Sequence, residues 1–144
     1  MLESEFEFEY KVIRSNGELP YERRWFVQER RRLRNTEEVY EELHKIDVFM
    51  IPKGKTSGVV VSSTLYQCMG ALIPTVVPNT RHFEMHEEEV VKFENAEDLV
   101  DKLRRVIEDE DYRKKLIKSA KEYVENNTAE KVAKKFLELF ASSL

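Results

Sequence analysis

Two short apolar runs, each closed by a proline, constrain this chain more than any other feature. Asp47-Val-Phe-Met-Ile51 stops at Pro52, and Thr75-Val-Val77 stops at Pro78. Short apolar runs that do not alternate belong to strands buried on both faces, as in a parallel sheet. Proline cannot donate to a strand ladder, so each run has a defined end. Val90 to Phe93 is a further short strand. Between the first two lies a helix carrying Leu65, Cys68 and Met69, and after the third a helix striped by Leu99, Leu103, Val106 and Ile107. Strands that alternate with helices imply parallel pairing through right-handed crossovers.

The flanking segments extend this pattern. Residues 5–13, EFEFEYKVI, alternate strictly and predict a half-exposed strand, ended by Ser15-Asn16-Gly17. Trp25-Phe26-Val27 reads as a second short strand. Asn35 with Glu38, and Asn95 with Asp98, have the spacing of capping boxes. The first opens a helix with Val39, Leu43 and Ile46 on one face. Val59-Val60-Val61 reads either as strand or as the start of a helix, and Ser62-Ser63-Thr64 can cap the helix that Pro74 ends. Tyr112, Leu116, Ala120, Tyr123 and Val124 stripe one late helix, and Val132, Ala133, Phe136, Leu139 and Phe140 the last. The expected fold is α/β: a three-layer sandwich around a Rossmann-like, mainly parallel sheet of about five strands, with a helical carboxy-terminal third.

Composition narrows the class. A chain of 144 residues suits one domain, spanning 1–144. Hydrophobic residues make up 41% and charged residues 36%, which excludes both disorder and a membrane span. The amino terminus has neither a basic start nor an apolar stretch, so no signal peptide is expected. A single cysteine, Cys68, excludes an internal disulfide and favours a reducing, cytoplasmic location. Abundant charge with glutamine only at 28 and 67 is the composition of proteins from very hot organisms.

A net charge of −4 gives no general reason to bind nucleic acid, which is not expected as a partner on this ground. The charge is nevertheless uneven. Residues 21–34 carry six arginines against two glutamates, and residues 84–101 carry eight acids against Lys92. Arginines interleaved with Trp25 and Phe26 could stack and pair with RNA. The preferred reading is a solvated strand whose arginines pair with the acidic segments.

In an open parallel sheet, ligands bind beyond the carboxyl ends of the strands. That places candidate sites in Ser15–Glu18, Lys53–Gly58 and Pro78–Arg81. The middle loop is the most suggestive. Lys53-Gly54-Lys55-Thr56-Ser57-Gly58 offers two ammonium groups, two hydroxyls and two glycines, just before a helix whose positive dipole end favours anions. It lacks the order of a P-loop. It can bind phosphate, or it can be a solvated polar turn.

The order of these segments resembles the donor-binding half of group-1 glycosyltransferases of the GT-B type. The strand Asp47–Pro52, the loop and helix, then Gly70-Ala-Leu-Ile-Pro74-Thr-Val-Val77 are similar to that family. So are Lys92–Leu99, Glu108–Arg113 and Lys131–Phe140, so the likeness covers roughly residues 38–140. The resemblance implies a domain that binds a nucleotide sugar, UDP- or GDP-linked, with diphosphate on the loop and helix start. Lys53, Lys55, Thr56, Ser57 and Gly58 then face diphosphate, Ser63 and Thr64 cap the helix start, and Gln67 contacts ribose. Gln67 stands where the family has a glutamate, and Thr56-Ser57-Gly58 stands where it has an earlier one. The family's first strand–helix unit and its diphosphate-clamping Arg/Lys pair have no match.

Three functional readings follow. The first is half of a split or excised glycosyltransferase that needs a separate acceptor-domain subunit and is inactive alone. The second is a non-catalytic binding or assembly module, and the third a small RNA-binding protein. No cofactor is implied, catalytic residues are not assigned, and a homodimer is an open expectation. His82 and His86, four residues apart, could grip zinc with Glu84, Glu87 or His44, but surface residues are the preferred reading. Cys68 is expected in the core.

Overall fold

A computed structural model describes residues 4–58 and 60–142. The terminal reading at Met1–Glu3 and the Val59 part of the valine run lie outside the described residues. Val60 and Val61 belong to neither strand nor helix. The chain forms two compact units, the first ending at Glu42 and the second beginning at Leu43.

The first unit holds β1 (Tyr10–Arg14), β2 (Phe26–Arg30) and most of α1 (Thr36–Leu43). The two strands run parallel with Tyr10 opposite Phe26 and Arg14 opposite Arg30. The strand expected from residue 5 begins only at Tyr10. Its partner is in a turn before Phe26, where the Phe26 N–H bonds back to the Arg23 carbonyl at 3.0 Å, so residues 5–9 have no ladder to join. Lys11, Glu29, Arg31 and Glu42 form a network that ties both strands to α1. Arg31 reaches Glu29 and Glu42 at 2.7 Å each, and Lys11 reaches them at 2.9 and 3.2 Å.

The second unit holds β3 (Phe49–Met50), α2 (Ser63–Gly70), β4 (Thr75–Pro78), β5 (Val91–Phe93), α3 (Ala96–Glu108), α4 (Glu110–Asn126) and α5 (Ala129–Ser142). Its sheet is parallel, in the order β3-β4-β5. Val76 and Val77 are both fully buried because their side chains leave opposite faces of β4, and both faces are covered. On one side Val77 packs with Ile51, Leu65, Met69, Phe83, Val90 and Ala120, which brings α2 over the sheet. On the other, Val76 and Val91 pack with Val106 and Leu116, which brings in α3. The α4 helix contributes to both clusters.

This unit is the expected three-layer arrangement, and the α/β class with five parallel strands is as the sequence suggests. The strands, however, divide into sheets of two and three, not one sheet of five. The run at Asp47–Ile51 yields only a two-residue strand, whose ladder is with β4.

The helix caps follow local chemistry. Asn35 accepts the Glu38 N–H at 3.0 Å, and Asn95 accepts the Glu97 and Asp98 N–H groups at 3.0 Å each. The returning carboxylates reach one residue further than a capping box requires: Glu38 takes the Arg34 N–H and Asp98 the Glu94 N–H, both at 2.9 Å. At the end of α2, the Leu72 and Ile73 N–H groups return to the Met69 and Cys68 carbonyls. That closure puts Leu72 at φ 59°, a left-handed position where glycine is commonest. Among the described residues no helix is long and apolar enough to cross a membrane.

Candidate functional site

Two of the three loops expected to carry a site meet at the carboxyl ends of β3 and β4. Lys55 and Thr56 from the first, and Asn79, Thr80, Arg81 and Glu84 from the second, line an open cavity of about 320 Å³. The loop after β4 is held in place by its backbone. The Asn79 N–H bonds to the Phe93 carbonyl at 2.8 Å, and the Phe83 N–H to the Thr80 carbonyl at 2.9 Å, starting a single 3₁₀ turn at Arg81–Phe83. Phe83 is fully buried and anchors that turn in the core. Arg81 joins the two loops: its Nη1 donates to the Ser57 carbonyl at 2.7 Å.

The electrostatics favour an anion. Lys55 and Arg81 contribute two cations, and Thr56, Thr80 and Asn79 offer short polar groups. Glu84 is the cavity's carboxylate, 3.8 Å from the Arg81 Nε with both side chains about half exposed. An exposed pair of that kind is worth at most about 1 kcal/mol, so it leaves the arginine free to engage a phosphate.

A second feature lies at the start of α2. The expected cap by Ser63 and Thr64 does not form, because these are the first two residues of the helix and Ser62 holds the N-cap position. Ser62 is 3% exposed, and its hydroxyl makes neither a cap bond nor any other hydrogen bond. Serine at this position normally accepts a helix N–H. Here that helix end is left unsatisfied by its own side chain.

The other expected residues distribute as follows. Lys53 is exposed and does not line the cavity, and Ser57 contributes its carbonyl. The Gly58 N–H turns inward to the Thr56 hydroxyl at 3.3 Å. Neither Gly54 nor Gly58 has a neighbour within 3.4 Å of where a Cβ would stand, so the loop does not depend on glycine for space. Gln67 is half-buried on α2, outside the cavity wall. The Ser15–Glu18 loop belongs to the first unit. Asn79, Thr80, Arg81 and Glu84 carry no motif. The signal that points to them is positional, a loop at the carboxyl end of a parallel strand.

Cys68 is fully buried, and burial pushes its thiol up to about 11, as fits a core residue. The His82–His86 pair does not form a metal site. His86 turns inward against Tyr66 and Tyr123, while His82 stays beside the Thr80 hydroxyl. Among the described residues no group of three histidine, cysteine or acidic side chains could hold a metal.

A parallel sheet covered on both faces, with a cationic loop pair at its carboxyl edge, is a Rossmann-like arrangement. Residues 4–138 match the family described as glycosyl transferase-like, and the chain belongs to that family. No solved structure matches the chain.

Proposed function

We propose that the cavity between the Lys53–Gly58 and Pro78–Arg81 loops binds the diphosphate of a nucleotide sugar, UDP- or GDP-linked. The observation that carries this reading is the Arg81–Ser57 bond, which fixes a guanidinium beside Lys55 at the carboxyl edge of a parallel sheet. Arginine presents a planar fork that matches phosphate oxygens. Gln67 lies about 6 Å along α2 from Ser63 and is the residue assigned to the ribose hydroxyls. Its amide both donates and accepts, without the charge-assisted bond of a carboxylate.

The domain acts as the donor-binding half of a glycosyltransferase, with a separate acceptor-domain subunit supplying the rest of the cleft. The chain alone transfers no sugar. One observation favours a second reading, a non-catalytic binding module. Glutamine occupies position 67, where the family resemblance places a carboxylate. The first reading requires nucleotide binding. Titration calorimetry with UDP and GDP tests it. Lys55→Ala is expected to weaken binding about tenfold, as loss of a charged hydrogen bond does, and Lys53→Ala to change it less than about threefold. Equal effects of the two substitutions would move the phosphate away from this cavity.

A further inference from the structure

The preferred sequence reading of the arginine-rich segment required its arginines to be paired with acids. The structure removes much of that pairing. Arg31 is held by Glu29 and Glu42, and Arg34 by Glu38. Among the described residues the guanidinium groups of Arg23, Arg24, Arg30 and Arg32 have no carboxylate partner, and all four residues are exposed.

Their placement is regular. Along β2 and the residues that follow, Gln28, Arg30, Arg32 and Arg34 are exposed while Glu29, Arg31 and Leu33 are half-buried. The Arg31 N–H bonds to the Arg14 carbonyl at 2.9 Å, so the parallel ladder continues past the end of β2. In this register Arg14 stands beside Arg30. Alternate residues of a strand repeat every ~6.6 Å, which is nearly two phosphate steps of a stacked nucleic-acid strand at ~3.4 Å each.

Aromatic rings flank the arginines. Tyr21 is 60% exposed and sits edge-on to Phe26 at 5.7 Å, and Phe26 shares its strand face with Tyr10 at 5.8 Å. Trp25 and Phe8 pack at 5.3 Å beside Arg24. Cations along a strand tracking a backbone, with half-exposed rings beside them, are the elements of a single-strand binding surface. An acidic peptide would use the cations and have no use for the rings.

We infer that the exposed face of β1 and β2 binds single-stranded nucleic acid, with Arg23, Arg24, Arg30 and Arg32 on phosphates and Tyr21 under a base. This surface belongs to the first unit and the proposed nucleotide-sugar cavity to the second, and its test does not depend on that assignment.

The test is fluorescence anisotropy of the full chain with a labelled 12-residue oligo-uridine, its oligo-thymidine counterpart and a labelled polyglutamate peptide. Four phosphate contacts predict an about 50-fold loss of oligonucleotide affinity between 50 and 200 mM salt. Arg30→Gln/Arg32→Gln is expected to weaken binding and lower the log–log salt slope by about 1.4. Tyr21→Leu weakens oligonucleotide binding without changing the slope. All three positions are exposed, and an unchanged melting temperature verifies that each variant is folded. Absence of oligonucleotide binding, an unchanged salt slope in the double variant, or polyglutamate binding as tightly as the oligonucleotides overturns the inference. A difference between the uridine and thymidine arms reads out whether the 2′-hydroxyl is used.

Discussion

The Arg81 guanidinium donates to the Ser57 carbonyl at 2.7 Å across 24 residues of sequence. Each partner lies in a loop that leaves the carboxyl end of a strand, and the bond holds the two loops as one wall. An arginine that lines the cavity and is bonded to a backbone carbonyl is held in place before any anion arrives. Such preorganisation lowers the entropic cost of binding.

On the proposed reading, replacing Arg81 removes both a donor to phosphate and the link between the loops. Arg81→Ala is expected to weaken nucleoside-diphosphate binding by at least about tenfold, in line with the 1.5–3 kcal/mol of a charged hydrogen bond. Arg81→Lys keeps the charge, loses the fork, and recovers only part of the affinity. Titration calorimetry of the two variants measures the difference.

Glu84 acts in the opposite sense. Its carboxylate lies 3.8 Å from Arg81 and repels an incoming phosphate. Glu84→Gln should tighten diphosphate binding severalfold at low salt. The gain should shrink at 0.5 M salt, because exposed charges are screened. Binding curves at two ionic strengths decide it.

Stability should fall on mild acidification through His86. The ring is 3% exposed, and its Nδ1 has no hydrogen-bond partner. Burial pushes its pKa below the ordinary 6.5, Glu89 at 3.9 Å pulls it back, and Lys92 adds to the depression. Between the folded value and 6.5 the unfolded chain holds more protons, so stability is lost as pH falls through that window. Glu89→Gln lowers the folded value further and widens the window. His86→Phe removes this contribution. Urea unfolding from pH 7 to pH 5 measures both.

The last helix predicts association. Phe136, Leu137, Leu139 and Phe140 on α5 are 55–69% exposed, and the rings of Phe136 and Phe140 stack at 6.3 Å. A contiguous apolar face of this kind marks an interaction surface. Sedimentation velocity is expected to show concentration-dependent self-association at micromolar protein, abolished by Phe136→Glu/Phe140→Glu. A monomer at every concentration would contradict this.

Signals confined to neighbouring residues were legible in the sequence. Asn35 and Asn95 cap their helices as their spacing suggests, because a cap needs only a side chain and the N–H groups two or three positions ahead. The proline-bounded run at Val76 is a buried parallel strand as expected, whereas the run at Met50 forms a two-residue strand at the sheet edge that is only half-buried. What depends on distant partners was not legible. The alternation at Phe6 and Phe8 implies a strand, yet the ladder starts at Tyr10, because the partner chain is turning there. For the site, Lys55 and Thr56 were legible from loop chemistry. The loop that carries Arg81 was legible from its position after a strand, but the contact of Arg81 with Ser57 was not, since no local pattern encodes it. Ser62 stands in the run expected to cap α2 and holds the cap position, but that its buried hydroxyl makes no cap bond depends on packing that no local pattern encodes.

The central claim, that this cavity receives a nucleoside diphosphate, is tested most directly by thermal unfolding with UDP, GDP and ADP. At about 100 times its dissociation constant, a bound ligand stabilises the folded chain by roughly 2.7 kcal/mol. For a chain of this size that raises the melting temperature by roughly 5–10 °C. UDP or GDP is expected to give such a rise, absent in Arg81→Ala. No shift with any nucleoside diphosphate at millimolar concentration, or an undiminished shift in Arg81→Ala, would contradict it.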